Sequence, residues 1–249
     1  MMHNLIRLKL NLFITLATGM AIAHGQVDRS DVASKLWDAI GGKENWQQAR
    51  YFMFSCIGGE TNSFVHGERK YLWDKETGNC RFEGTTTDDE NVIVLFNIRT
   101  DKGSAYINGQ KLDSPRVMGD VVKEASYQFA RDAYLLFLPT AFEGNHASYK
   151  VSGDKLVGMQ RFTIINIKNQ QTSFKAEVDG QLYVDAQTGQ VQKWTPTSTD
   201  NHFSISGFKD IGGGLVLPTR FEGSDTTTNV TYPLAAALVN IEDQKFRQP

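Results

Sequence analysis

Two copies of one heptapeptide, differing at a single position, each carry a carboxylate. Leu138–Gly144 reads LPTAFEG and Leu217–Gly223 reads LPTRFEG, placing Glu143 and Glu222 in the same local setting. A pair of carboxylates is what glycoside hydrolysis needs, one as acid and one as base or nucleophile. Strand periodicity points elsewhere. With side chains alternating between faces, Phe142 and Phe221 take one side while Glu143 and Glu222 take the solvent side. Pro139 and Pro218 cannot donate to a sheet ladder and suit the start of a strand. The repeat therefore predicts two strand starts. The shorter copy RFEG at Arg81–Gly84 leaves unequal intervals between the three FEG triplets, which do not fit a repeat array.

The other reactive residue types are scattered. His66, His146 and His202 (with His24 near the N-terminus) stand in polar turns or at strand edges, without metal-ligand spacing. The chain has two cysteines, Cys56 and Cys80. In an exported protein such a pair predicts a disulfide, with two free buried thiols as the alternative. The stretches WDKETGNC (Trp73–Cys80) and VDAQTGQV (Val184–Val191) share apolar-Asp-x-x-Thr-Gly-x-apolar. Each has too few oxygen ligands for a calcium cage. The pattern predicts a hairpin turn, in which Asp accepts backbone N–H bonds and Gly supplies the left-handed residue. No Gly-x-Ser-x-Gly elbow, His-Glu-x-x-His helix, phosphate loop or dinucleotide fingerprint is present. The triple glycine at Gly212–Gly214 has no following helix and is expected to be a turn. The expectation is no catalytic residue, no metal site and no cofactor.

The elements that would position these residues are mostly strands. Asp31–Gly42 predicts a short amphipathic helix, with Val32, Leu36 and Ile40 on one face and Gly41-Gly42 as the stop. Short runs rich in β-branched and aromatic residues follow, from KYLWD through NCRFEGTT, NVIVLFNIRT and SAYING. Similar runs resume after residue 147, giving about eleven strands joined by tight turns and hence an antiparallel meander. Between the two blocks lies Pro115–Phe137, a second helix. Val122, Ala125, Phe129 and Ala133 form its apolar stripe; Lys123, Glu124, Gln128, Arg131 and Asp132 form a polar side. A lone amphipathic helix among strands must cover a sheet face. NVIVLF, QRFTIINI and LAAALVNI are too apolar for sheets wet on one side, so both faces are expected to be covered. A curved sheet closing over an apolar cavity satisfies that, and so does a fully packed core.

The first 25 residues predict a secretory leader, with Arg7 and Lys9 before the apolar run Leu10–Ala23 and small residues at Ala23-His24-Gly25. The leader holds two of the 26 basic residues and none of the 28 acidic ones, so residues 26–249 are mildly acidic. That balance, without a Lys/Arg cluster, argues against nucleic-acid binding. No later segment is apolar enough to cross a membrane as a helix. One domain over 26–249, located in the periplasm or secreted, is the expectation.

This layout resembles the periplasmic lipoprotein-carrier superfamily of LolA, LolB and RseB. The resemblance rests on the leader, the helix ending in Gly-Gly before Trp (DAIGGKENW), the strands and the central helix. It also rests on AYLLFLPTAFEG and the hairpin LYVDAQTGQVQKW. It implies an open, curved antiparallel half-barrel with a central helix and an N-terminal helix on its concave face. It also implies a carrier of lipid or lipoprotein acyl chains, acting in lipid or lipoprotein trafficking to the outer membrane. The alternatives are an envelope protein partner bound by the same fold, and a hydrolase whose site is assembled from distant residues. Phe96, Val122, Phe129, Tyr134, Leu136, Phe137 and Trp194 are the expected cavity-lining residues. The stretch AYLLF is expected to unravel into the strand LPTAFEG, where a lid would hinge.

Overall fold

In the computed structural model the structure describes residues 29–59, 64–143 and 149–249; the leader and His146 lie outside them. Two helices come first, α1 (Arg29–Ala39) and α2 (Lys43–Gln48). Strands β1 (Tyr51–Gly58), β2 (Val65–Asp74), β3 (Asn79–Thr86), β4 (Asn91–Asn97), β5 (Lys102–Ile107) and β6 (Gln110–Lys111) form the first block. Helix α3 (Pro115–Leu136) separates them from β7 (Tyr149–Val157), β8 (Gln160–Gln171), β9 (Glu177–Asp185) and β10 (Val191–Pro196). The chain continues through β11 (Phe203–Ser206), β12 (Lys209–Gly212), β13 (Leu215–Leu217), β14 (Arg220–Gly223), β15 (Val230–Thr231) and β16 (Ala235–Leu238).

Fourteen of these strands make one antiparallel sheet, in the order β6-β5-β4-β3-β2-β1-β15-β14-β11-β10-β9-β8-β7, with β16 also on β1. The sheet is open, and β6 and β7 are its two ends. It is a meander interrupted twice among the described residues, where β1 pairs with β15 on the side away from β2 and where β14 pairs with β11 past the β12–β13 ribbon. The two-stranded β12–β13 ribbon stands apart and is fixed to the end of α1 by the Val216 N–H bond to the Ile40 carbonyl.

The two Asp-x-x-Thr-Gly segments form matching turns. Asp74 Oδ1 accepts from the N–H groups of Glu76 and Thr77, and Asp185 Oδ1 from those of Gln187 and Thr188. Gly78 and Gly189 take φ of 81° and 73°, a conformation that a side chain would strain.

α3 begins on a capping Ser114 whose hydroxyl accepts from the Val117 N–H, with Pro115 in the first turn. Its apolar stripe docks on the first block. Phe129 meets Tyr71 and Trp73 edge-on, each at 5.6 Å, and Val122, Ala125 and Ala133 are fully buried. One continuous cluster of buried apolar side chains then runs from α1 through both strand blocks.

Four expectations are corrected. The first heptapeptide is not a strand: Leu138–Thr140 is a 3₁₀ turn that continues directly from α3, buried from Leu138 to Phe142. Its Pro139 follows a helix that still needs closing, whereas Pro218 follows a strand. Only the second copy, in β14, and the short copy, in β3, are strands. AYLLF is correspondingly not a hinge, because Phe137 is packed against Trp46, Phe52, Phe54, Trp73 and Phe174 with ring centroids 5.2–5.8 Å away. The disulfide does not form, and both thiols are free and buried. Cys56 pairs with Arg69 and Cys80 with Trp73 on opposite sides of β2. Two strand spacings of about 4.8 Å exceed the roughly 7 Å a disulfide can bridge between Cα atoms. Finally, Gln128 and Asp132 do not belong to a wet helix face: both are buried.

Candidate functional site

What buries Asp132 is a polar network that saturates its carboxylate. Oδ2 accepts from Arg69 Nε and from the Tyr71 hydroxyl, both at 2.6 Å. Oδ1 accepts from Arg69 Nη2 at 3.1 Å and Gln128 Nε2 at 2.9 Å. The Arg69 guanidinium also donates to the carbonyls of Gly67 and Gly58, and Tyr232 donates to the Asp132 carbonyl at 2.7 Å. β2, the end of β1 and the segment before β16 are thereby tied to α3 one turn before its end. Burial works against the Arg69 charge, but Asp132 outweighs it and holds the guanidinium protonated. Burial, reinforced by the Asp132 carboxylate, pushes the Tyr71 hydroxyl and the neighbouring Cys56 thiol well up. At neutral pH both are neutral beside the pair, the Tyr71 hydroxyl donating to Asp132 and the Cys56 sulfur accepting from Arg69 Nη2 at 3.3 Å.

Beside this network the structure opens. An open cavity of about 1010 Å³ lies between α3, the ends of β1, β9, β10, β11 and β15, and the loops after β10 and β14, at the upper end of the roughly 300–1,000 Å³ typical of ligand pockets. Its inner wall is Ala130, Tyr134, Leu135, Ala176, Phe203 and Val230, with Cys56, Gln128 and Asp132 at one end of the floor. The rim carries Glu124, Arg131, Lys175, Glu177, Asn201, Ser224 and Asp225. More of the exposed lining is apolar than polar. Tyr127, 53% exposed, stands at the opening on the outer side of α3. Tyr134 sits edge-on to Trp194 at 6.2 Å, and burial raises its hydroxyl above the ordinary tyrosine range.

One rim position is anchored by an ion pair. Lys175, at φ 65° in the β8–β9 turn, pairs with Asp101, at φ 53° in the β4–β5 turn. The Ser126 hydroxyl on α3 donates to the same Asp101 oxygen at 2.7 Å. The two strand blocks thus meet across the helix.

Of the seven expected lining residues, Tyr134 borders this cavity. Phe96, Val122, Phe129, Leu136, Phe137 and Trp194 are packed in the core at 4% exposure or less and do not line it. The sequence reading missed Tyr127, Leu135, Phe203 and Val230. The available signal was the second stripe of α3, Tyr127-Ala130-Arg131-Tyr134, whose aromatic and small residues lie at helical spacing.

The scattered reactive residues stay scattered. Glu143 accepts from the Ser173 hydroxyl at 3.3 Å, while Glu222 is exposed on β14. His66 faces Asp89 at 3.0 Å on the surface, and neither histidine among the described residues lines the cavity. Among the described residues no group of three or more His, Cys, Asp or Glu could hold a metal ion. No described helix is long and apolar enough to cross a membrane.

No family model matches the chain, and no curated protein matches it by sequence. Solved structures similar to it at low identity include the following three. A DUF1329 family protein from Desulfovibrio piger aligns with TM-score 0.43 and 10% identity, over 87% of this chain and 94% of the other. LprF from Mycobacterium bovis aligns with TM-score 0.35 and 10% identity, over 86% and 97%. The lipoprotein LppX from Mycobacterium tuberculosis aligns with TM-score 0.32 and 9% identity, over 86% and 100%.

Proposed function

We propose that this protein is an exported, non-catalytic carrier that binds an acyl chain or another elongated apolar ligand between α3 and the β9–β15 part of the sheet. One observation carries the reading: the cavity of about 1010 Å³ with an apolar inner wall and a polar rim. Such a lining suits a molecule with an apolar body and a polar end. Affinity would come from removing CH₂ groups from water, each worth about 0.8 kcal/mol. Tyr127 and Phe203 would contact the ligand near the opening, and Tyr134, Leu135 and Val230 further in. The six core residues would act one layer behind, as the rigid support of that wall. On this reading the chain is a carrier of the lipoprotein-carrier kind, serving lipid or lipoprotein traffic to the outer membrane.

The test is gentle purification followed by lipid extraction and mass spectrometry, together with titration by a fluorescent fatty acid. Ala130→Trp, which fills the cavity from α3, should weaken probe binding about tenfold or more, a loss of roughly 1.4 kcal/mol, without changing the melting temperature. Absence of both co-purified lipid and probe binding, or binding indifferent to Ala130→Trp, rejects the reading.

A further inference from the structure

The β7–β8 hairpin ends in a feature that the fold does not require. Val157 pairs with Gln160 across a two-residue turn, in which Gly158 takes φ 62°. A tight hairpin of this kind needs glycine at its first central position and is ordinarily polar at the second. Here the second is Met159, fully exposed at 102%, and the residues leading into the turn are Leu156 at 67% and Val157 at 47%. Three large apolar side chains thus crowd one hairpin tip, whereas exposed apolar residues scattered singly call for no explanation.

The charge around the tip is equally local. Lys155 precedes Leu156, and Arg161 is the cross-strand partner of Leu156. Lys193 joins them on the neighbouring hairpin: Lys155 and Lys193 both lie over the Tyr183 ring, at 5.9 and 5.2 Å from its centroid. Two carboxylates lie among these cations and keep their charge, held by neutral donors. Asp154 accepts from the Thr163 hydroxyl at 2.9 Å, and Asp185 accepts from Gln160 and caps its own turn. In a chain of formal net charge −2, three cations against two carboxylates leave an apolar tip beside a collar of one net positive charge.

We propose that this tip docks on an anionic lipid bilayer, with Leu156, Val157 and Met159 entering the headgroup–acyl boundary and Lys155, Arg161 and Lys193 facing the lipid phosphates. Apolar insertion supported by basic residues at the surface is how a peripheral protein holds a bilayer. Charge complementarity selects a bilayer over a protein groove here, because the collar surrounds the apolar residues as headgroups surround acyl chains. The tip is at the Gln160 end of β8, whereas the cavity takes Lys175, Ala176 and Glu177, just beyond the Gln171 end. At about 3.3 Å per residue the two lie some 40 Å apart. Docking at the tip therefore uses none of the cavity-lining residues and does not depend on what the cavity holds.

The test is co-sedimentation of the full mature chain with vesicles of phosphatidylglycerol and phosphatidylethanolamine in equal parts, against vesicles of phosphatidylcholine. The wild type should bind the anionic vesicles more tightly, and less so as salt rises. Met159→Asp and Leu156→Asn should each cut that binding about tenfold. Lys155→Glu with Arg161→Glu should remove the preference for anionic lipid. Melting temperatures should stay unchanged, since these side chains contact solvent. Ala130→Trp should leave vesicle binding intact, which separates docking from extraction of single lipids into the cavity. The proposal is overturned if the wild type does not bind anionic vesicles or if the tip variants bind as well as it does. Loss of vesicle binding with Ala130→Trp overturns it as well. So does a self-association abolished by Met159→Asp, which would make the tip a protein contact.

Discussion

Arg69 on β2 and Asp132 on α3 form a two-pronged ion pair, Nε to Oδ2 at 2.6 Å and Nη2 to Oδ1 at 3.1 Å, with side chains 1% and 4% exposed. Buried pairs of this kind add little over well-packed apolar residues, yet removing one partner strands the other. Asp132→Ala should therefore cost about 3–5 kcal/mol of unfolding free energy, read by urea denaturation. The double variant Arg69→Met with Asp132→Leu should recover most of that loss. Equal destabilisation in the single and double variants would show that the network contributes more than mutual charge compensation.

Phe137 and Tyr127 should separate stability from binding. Phe137→Ala removes a ring that contacts five other rings and should cost about 3–5 kcal/mol. Tyr127→Ala, at the cavity opening, should change stability by no more than about 0.5 kcal/mol while weakening fatty-acid probe binding. A lid hinged at AYLLF would give the opposite pattern for Phe137.

The thiols should be silent in the native state. Burial raises both Cys56 and Cys80 well above the ordinary thiol range, and thiolate is the reactive form. Ellman's reagent should titrate no thiol in the folded protein and both in denaturant, with electrophoretic mobility unaffected by reductant. A reductant-dependent shift would mean that the strand order is not β1-β2-β3.

Acid should weaken the protein through its hairpin aspartates. Burial alone would raise Asp74, but hydrogen bonds from Arg50 and Thr77 outweigh it and hold the carboxyl below its ordinary value. Asp185 is lowered in the same way, with Gln160 and the N–H groups of Thr188 and Gln187 prevailing over burial. A depressed carboxylate stabilises the fold above its unfolded pKa of about 4 and ceases to do so as pH falls through the folded value. The melting temperature should fall below about pH 4, and Asp74→Asn with Asp185→Asn should make that fall shallower. An unchanged slope in the double variant would assign the acid sensitivity to other carboxylates.

Much of this fold was legible because the signals were local. The period of the strands, the Asp-x-x-Thr-Gly turns and the Val122-Ala125-Phe129-Ala133 stripe are each decided within a few residues. Asp132 was not legible, because its burial depends on Arg69, 63 positions away along the chain. LPTAFEG and LPTRFEG differ by one residue, yet fold as a 3₁₀ turn and a strand because what precedes them differs. The cavity was only partly legible for a related reason. The most apolar residues of α3 went to the core, and the opening was left to a mixed stripe and to turns from distant strands.

The long-range break in the meander, between β1 and β15, sets the order in which the molecule can be completed. β1 takes β2 on one side, but on the other it takes β15 and β16, made only when the chain is nearly finished. Until Val230 and Thr231 exist, the apolar strand YFMFSCIG keeps an unpaired edge, the kind of edge that recruits foreign strands. The long loop that must close before β1 is covered makes this closure the slow, non-local step of folding. The nascent first half therefore carries the chain's principal aggregation hazard, and a factor that shields β1 during synthesis would raise the yield of folded protein more than any substitution in the cavity.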